Sequence, residues 1–348
     1  MILKRREFLK FISIAAAGTP LFANGRDKLY IKLPPKKLEY YHLKGKKDGG
    51  RVLIIGGIHG NEIGAYKAAD ILVDNELKRG ELLIIPRSNF TSILANVRGY
   101  NGDMNRKFDH ISKKDPDYYY IQMLKDIILS YKPDVVISMH DGYGFASRQE
   151  RAWGQSVVID EVRYKNFDLL TPARFVMNNS NKYLKHKIVV LNTKTFSGRF
   201  HKEQKKALTG WCLKNNIKAF CIEASKQLPT LKDKVHTHLV MLREFFKIYN
   251  IEFEGGMERI VNGFELNNKK NPKLILNVNN QKIIVKNNET LKIKRGSIIE
   301  VTDIDGERGD FIVPHGVNLN WRSFHFKNLR FFIKRDYQKI FSIDIKEV

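Results

Sequence analysis

Arg51–Gly64 reads RVLIIGGIHGNEIG. Val52 to Ile55 is an unbroken apolar run. A strand with one wet face would alternate polar and apolar residues. A continuous run marks a strand covered on both faces, as in a parallel sheet. Gly56-Gly57 then lets the backbone turn tightly. His59 and Glu62 follow, spaced His-x-x-Glu, ahead of a helical pattern from Ile63 to Leu77. An imidazole and a carboxylate at a strand's carboxyl end can chelate one Zn²⁺. That end is also where open α/β sheets place their ligands. Taken alone, the pair fits a solvated turn with a capping Glu equally well.

Outward from this stretch, strands alternate with helices from Leu29 to about Asn250. ELLIIPRSNF (81–90) contains a second apolar strand, DVVISMH (134–140) is a third ending in His140, and KAFCIEAS (218–225) is a later one. Ile188 to Leu191 is a further candidate strand. Helical patterns cover Asp115 to Tyr131, Lys202 to Asn215 and Leu231 to Tyr249, the first of these being stopped at Pro133. This alternation predicts a mostly parallel or mixed sheet with helices on both faces. After Gly255-Gly256 the pattern changes to short alternating runs such as LILNV, KIIVK and FSIDI, separated by Asn, Gly and Asp turns. The expectation is an α/β domain over 24–255 and a small all-β accessory domain over 262–348.

At 348 residues, 43% hydrophobic and 11% aromatic, the chain has material for two domains and an ample core. A net charge of +24 favours polyanions, whether nucleic acid, anionic lipid or an acidic wall polymer. The lysines and arginines are scattered and form no nucleic-acid motif, so nucleic acid is not the expected partner. Residues 1–23 read as an export signal: a basic start, an apolar stretch rich in small residues, and Leu21-Phe22-Ala23 as a cleavage site. Arg5-Arg6-Glu7-Phe8-Leu9-Lys10 fits the twin-arginine pattern, which exports folded proteins. The expected location is therefore the periplasm. No later stretch of eighteen apolar residues occurs, so no transmembrane helix is expected in the mature chain. Cys212 and Cys221 lack a Cys-x-x-Cys spacing and are expected as buried thiols.

Four features converge on one chemistry. His59, Glu62 and His140 form a tridentate set that leaves zinc a fourth position. Glu223 ends another strand as a free carboxylate and can serve as general base. Asn105 and Arg106 can grip a substrate carboxylate through an amide and a guanidinium fork. Arg98 can stabilise an oxyanion.

In this order and at strand ends, these residues resemble the zinc metallocarboxypeptidases of the carboxypeptidase A type, over roughly residues 50–250. The resemblance implies one Zn²⁺ on His59, Glu62 and His140, an Asn105–Arg106 carboxylate clamp, Arg98 at the oxyanion and Glu223 as catalytic glutamate. GIHGNE is similar to the aspartoacylase and succinylglutamate desuccinylase branch. His140-Asp141-Gly142-Tyr143-Gly144-Phe145 is more similar to the peptidoglycan stem-peptide carboxypeptidases of curved and helical bacteria. Tyr143 is a candidate for the mobile substrate-binding tyrosine. Together with the export signal, the resemblance implies trimming of muropeptides from tripeptide to dipeptide in cell-shape maintenance. The alternatives are a zinc deacylase of N-acyl amino acids and a non-catalytic wall-binding protein. The remaining histidines carry no ligand pattern. His236 and His238 are expected on the helix surface, His315 and His325 within the β domain, and His110 and His201 in loops. Asp141 either orients a ligand or caps a turn. Trp153 and Trp211 are expected in the core.

Overall fold

The computed structural model describes residues 28–266 and 270–348. The signal expected over 1–23 lies outside the described residues. The chain divides into two compact units. The larger takes residues 36–270 together with 334–338. The smaller takes the described residues up to Pro35, then 271–333 and 339–348.

In chain order the strands begin with β1 (Leu29–Lys32), β2 (Tyr41–Lys44), β3 (Lys47–Ile55), β4 (Leu77–Ile85), β5 (Val135–Gly142) and β6 (Ser156–Ile159). A two-residue hairpin, β7 (Arg163–Tyr164) with β8 (Phe167–Asp168), precedes β9 (Val189–Asn192), β10 (Ala219–Ser225) and β11 (Glu252–Phe253). The larger unit's sheet has the order β11-β4-β3-β5-β10-β6-β9, with β2 also pairing β4. Neighbours β4, β3, β5 and β10 run parallel, while β6, β2 and β11 join antiparallel, so the sheet is mixed. The helices between these strands are α1 (Ile63–Val73), α2 (Phe90–Ala95), α3 (Tyr118–Tyr131), α4 (Leu170–Ser180), α5 (Leu208–Lys214), α6 (Leu231–Ile248) and α7 (Gly256–Gly263).

The apolar run Val52–Ile55 is split by strand geometry, because successive side chains point to opposite faces. Val52 and Ile54 enter a core with the apolar faces of α1, α4 and α6. Leu53 and Ile55 enter a second core with Ile121, Leu124 and Ile128 of α3 and Leu208 and Trp211 of α5. All four are fully buried, which is why the run contains no polar residue. Helix α6 starts at a capping box: Thr230 Oγ1 accepts from Asp233 N, and Asp233 accepts from Thr230 N.

The smaller unit adds β12 (Lys273–Val278), β13 (Gln281–Val285), β14 (Glu289–Ile293), β15 (Ile298–Asp305), β16 (Asp310–Pro314), β17 (Ser323–Phe326), β18 (Asn328–Arg335) and β19 (Gln338–Glu347). They form sheets of order β13-β12-β15-β1-β17 and β14-β19-β18-β16. Alternate residues of both sheets, among them Leu274, Leu276, Ile299, Phe331 and Ile343, fill one core. Asn279 and Asn280, both at positive φ, turn β12 into β13.

Three local expectations are corrected. Leu29–Lys32 is no part of the α/β alternation: β1 pairs parallel with β15 and antiparallel with β17, and buries Leu29 and Ile31 in the β core. Residues 202–215 are a 3₁₀ turn over Lys202–Lys206 followed by the short α5. The larger unit extends through α7 and takes in 334–338, so the two units are not separated by a single cut in the chain. Among the described residues no helix is long and apolar enough to cross a membrane.

Candidate active site

The three central neighbours β3, β5 and β10 run parallel, so their carboxyl ends open on one edge of the sheet. His59 lies in the turn after β3, and Glu62 is the residue before α1. His140 is within β5, and Glu223 stands opposite it in the β5–β10 register. Sheet pairing therefore brings residues far apart in sequence to one place.

Glu62 makes no capping bond to α1. Its carboxylate faces the histidines instead, which decides against the capping alternative. Glu62 Oε1 lies 3.0 Å from His59 Nδ1, and Oε2 lies 2.8 Å from His140 Nδ1. The two Nδ1 atoms are 3.0 Å apart. One ligand atom from each of the three residues falls within 4.8 Å of the others. The outer nitrogens are engaged elsewhere: His59 Nε2 with Asp103 Oδ1 at 3.0 Å, His140 Nε2 with Ser138 Oγ at 2.9 Å. With the protons placed on Nε2, each ring turns a lone pair inward beside a carboxylate. That is the arrangement of metal-ligating histidines with their orienting partners. The donor set, two imidazoles and one carboxylate, fits a dication with an open position.

The electrostatics follow from burial and from these contacts. Burial would push the Glu62 carboxyl up, but the two imidazoles hold it well below the usual range. Burial would lower His59, but Glu62 and Asp103 outweigh it and raise the ring above the ordinary histidine value. Burial prevails at His140, which is lowered. Glu223 is raised well above the usual carboxylate range by burial and by the charge of Glu62. Its Oε2 is buried without a hydrogen-bond partner among the described residues. Gly142 keeps that space open: a Cβ there would sit 2.9 Å from Oε2.

Arg98 is half exposed. Its Nε and Nη2 donate to Asp103 Oδ2 at 3.1 and 3.0 Å, and Nη1 lies 3.4 Å from Glu62 Oε1. Asn105 and Arg106 lie on a 3₁₀ turn over Met104–Arg106, which Asp103 caps by accepting from Asn105 N. Leu208 N donates to Asn105 Oδ1, which assigns that atom as the amide oxygen and Nδ2 as the donor end. Arg106 Nη1 donates to the Asn105 carbonyl. Tyr143 is 68% exposed, and among the described residues no hydrogen bond joins its hydroxyl to the cluster.

Several participants carried no readable mark. Asp103 ties His59, Arg98 and the 104–106 turn together, and its Asp-x-Asn-Arg spacing is the signal that could have revealed it. Ser138 sits two residues before His140 on the same strand face. Lys226 Nζ, just past β10, lies 3.6 Å from Glu62 Oε1. His238 corrects an expectation. It is fully buried on α6, and its Nε2 lies 2.9 Å from Asp141 Oδ1. Asp141 Oδ2 accepts from Gly64 N at 2.7 Å, so this carboxylate anchors the start of α1 directly after Glu62. Gly64 permits the approach, since a Cβ there would meet Asp141 Oδ1 at 2.7 Å. Cys212 and Cys221 are buried and free.

Residues 33–271, more than half of the chain, match the family model described as the catalytic part of the carboxypeptidase controlling helical cell shape. The chain belongs to this family. It is a carboxypeptidase with a mixed α/β fold and an added β-rich region. The product-bound cell shape determinant Csd4 of Helicobacter pylori is similar at 22% identity and a TM-score of 0.59, over 90% of this chain and 100% of that one. Its tripeptide-bound form is similar at 22% identity and a TM-score of 0.58, over the same shares of the two chains. The mDAP-bound form of Csd4, described as a D,L-carboxypeptidase, is 21% identical with a TM-score of 0.57, over 88% of this chain and 100% of that one. These likenesses show the fold. No curated protein matches the sequence.

Proposed function

We propose that this carboxypeptidase uses one Zn²⁺ on His59, Glu62 and His140 to remove the C-terminal residue of peptidoglycan stem peptides, converting tripeptide to dipeptide. The observation that carries the reading is the convergence of two Nδ1 lone pairs and the Glu62 carboxylate, with Glu223 opposite His140 on the neighbouring strand and its Oε2 buried without a hydrogen-bond partner among the described residues. The similar Helicobacter pylori protein has been seen with a tripeptide and with mDAP bound, which supports this substrate class. A net charge of +24 suits an acidic wall polymer. Location in the periplasm rests on the twin-arginine signal read in residues 1–23 and on the wall substrate.

Zinc in this position would polarise the scissile carbonyl and make water more acidic. Glu223 takes a proton from the attacking water and returns it to the leaving amine, so the carboxylate is regenerated. Arg98, beside the metal ligands, faces the charge that develops on the carbonyl oxygen. Asn105 Nδ2 and the Arg106 guanidinium hold the substrate's free α-carboxylate and so select the last peptide bond.

The test compares kcat/KM on a stem tripeptide and on its C-terminal amide. An amide strands the clamp arginine, and losing one partner of a buried charge pair costs about 2–5 kcal/mol. The acid should be cut and the amide spared. Equal rates would remove the exo-cleavage reading. In a deletion strain, tripeptide muropeptides should accumulate at the expense of dipeptides, and an unchanged profile would remove the wall substrate.

A further inference from the structure

The two oxygens of Glu223 have different surroundings. Oε1 lies 3.5 Å from the Sγ of Cys221, whereas Oε2 has no hydrogen-bond partner among the described residues. Cys221 and Glu223 are two apart on β10, so their side chains share one face of the sheet. Sulfur–hydrogen donors are weak, but the Cys221 thiol is buried and meets little competing solvent. Burial pushes the Cys221 thiol up, so it stays a neutral donor. On the other side of the carboxylate, Gly142 leaves room only because it lacks a Cβ.

We infer that Cys221 is a positioning residue: its S–H donates to Oε1 and fixes the Glu223 carboxylate so that Oε2 is the oxygen offered to the reacting water. The inference rests on the reading of Glu223 as the base. Cys221 touches neither substrate nor metal in this role. It acts by removing a rotation of the base that would otherwise have to be stopped in each turnover.

The experiment measures kcat and KM on a stem tripeptide for full-length variants, with zinc content and melting temperature recorded for each. Cys221→Ala should lower kcat about fivefold, the usual worth of one hydrogen bond, with KM and zinc content unchanged. Cys221→Ser keeps a donor and should recover most of that loss. In a Glu223→Gln background, Cys221→Ala should add no further loss, because its partner's function is already gone. Wild-type kcat in Cys221→Ala overturns the inference. So does a serine variant as slow as the alanine one, or an undiminished loss in the Gln background. Glu223→Gln with wild-type turnover would remove the base assignment itself and the positioning role with it, so the two failures are told apart by that single variant.

Discussion

Two buried charge clusters lie in the larger unit, and they treat their hydrogen-bonding capacity in opposite ways. Around Arg87 everything is matched. Its Nε donates to Asp336 Oδ1 at 2.6 Å, Nη1 to Asp70 Oδ1 at 2.7 Å, and Nη2 to both carboxylates. Lys67 Nζ adds 2.6 Å to Asp336 Oδ2, so two cations face two anions. Burial would lower the guanidinium, but the two carboxylates hold it well above its ordinary value. Around His59, Glu62 and His140, lone pairs face one another, and Glu223 keeps an oxygen without a hydrogen-bond partner among the described residues. A saturated buried cluster has nothing left to offer a ligand and contributes structure. An unsaturated one keeps a standing desolvation cost, which is expected where a ligand completes it.

The comparison breaks first at His140. Three protein ligands are what tight zinc binding requires, so His140→Ala should retain little metal after dialysis and turn over at background level. A full equivalent of zinc by elemental analysis would remove His140 from the ligand set and leave the inward lone pairs without explanation. Arg87→Ala attacks the matched cluster and should act on stability instead. It removes the guanidinium that the Asp70 and Asp336 carboxylates share, and breaking a buried pair typically costs about 3–5 kcal/mol. Denaturant unfolding should show that loss, while protein that remains folded should still carry its zinc. If Arg87→Ala released zinc without lowering stability, the division between structural and functional cluster would be wrong.

Glu223→Gln sharpens the contrast, because the two readouts should move apart. Loss of a positioned base costs at least about a hundredfold in kcat. Stability should be unchanged or higher, since the substitution relieves a buried carboxyl of the charge of Glu62 beside it. Zinc should stay. Metal loss in this variant would mean that Glu223 belongs with the ligands.

How much of this could be read beforehand depended on whether a residue's role is local. Val52–Ile55 announced a doubly covered strand because both faces of β3 are apolar cores. His59, Glu62, His140 and Glu223 could be picked out as candidates because each lies in or shortly after a strand that ordinary periodicity reveals, and the fold brings the first three together with Glu223 on the strand beside His140. Leu29–Lys32 was assigned to the wrong unit, since a strand's own residues do not say which sheet will pair with it. His238 was misread for a related reason. Polar residues two apart on a helix suggested solvent, but α6 is buried almost all round from Val235 to Phe246, and His238 Nε2 and Arg243 Nε find carboxylate partners within the protein. Helix α4 went unnoticed because Pro172 and two asparagines obscure its period, although Pro172 sits in the first turn where proline is tolerated. Asp103 was passed over despite its Asp-x-Asn-Arg spacing because its contacts to His59 and Arg98 form only after the loops have folded, and Ser138 because strand periodicity does not mark which side chain a serine bonds.

Asp103 joins the two ways of building a cluster. Oδ1 accepts from His59 Nε2 and from Asn105 N, while Oδ2 takes Arg98. Burial would raise its carboxyl, but His59 and Arg98 hold it well below the usual range. It is thus saturated itself while it orients an unsaturated neighbour. Removing such an orienting partner typically costs 10- to 100-fold in metal affinity, so Asp103→Ala should weaken zinc by about that factor in competition with a chelator. Asp103→Asn separates its duties. The amide oxygen can still accept from His59 and cap the 104–106 turn, but the amide NH₂ then faces the Arg98 guanidinium, donor against donor. Zinc affinity should therefore fall by less than about tenfold, while turnover falls further than metal loss explains, if Arg98 serves the oxyanion as proposed, because it loses the carboxylate that orients it. Kinetics at saturating zinc read this second effect alone. Wild-type metal affinity in Asp103→Ala would show that packing of the turn after β3 suffices to orient His59, and that the carboxylate serves only Arg98 and the turn.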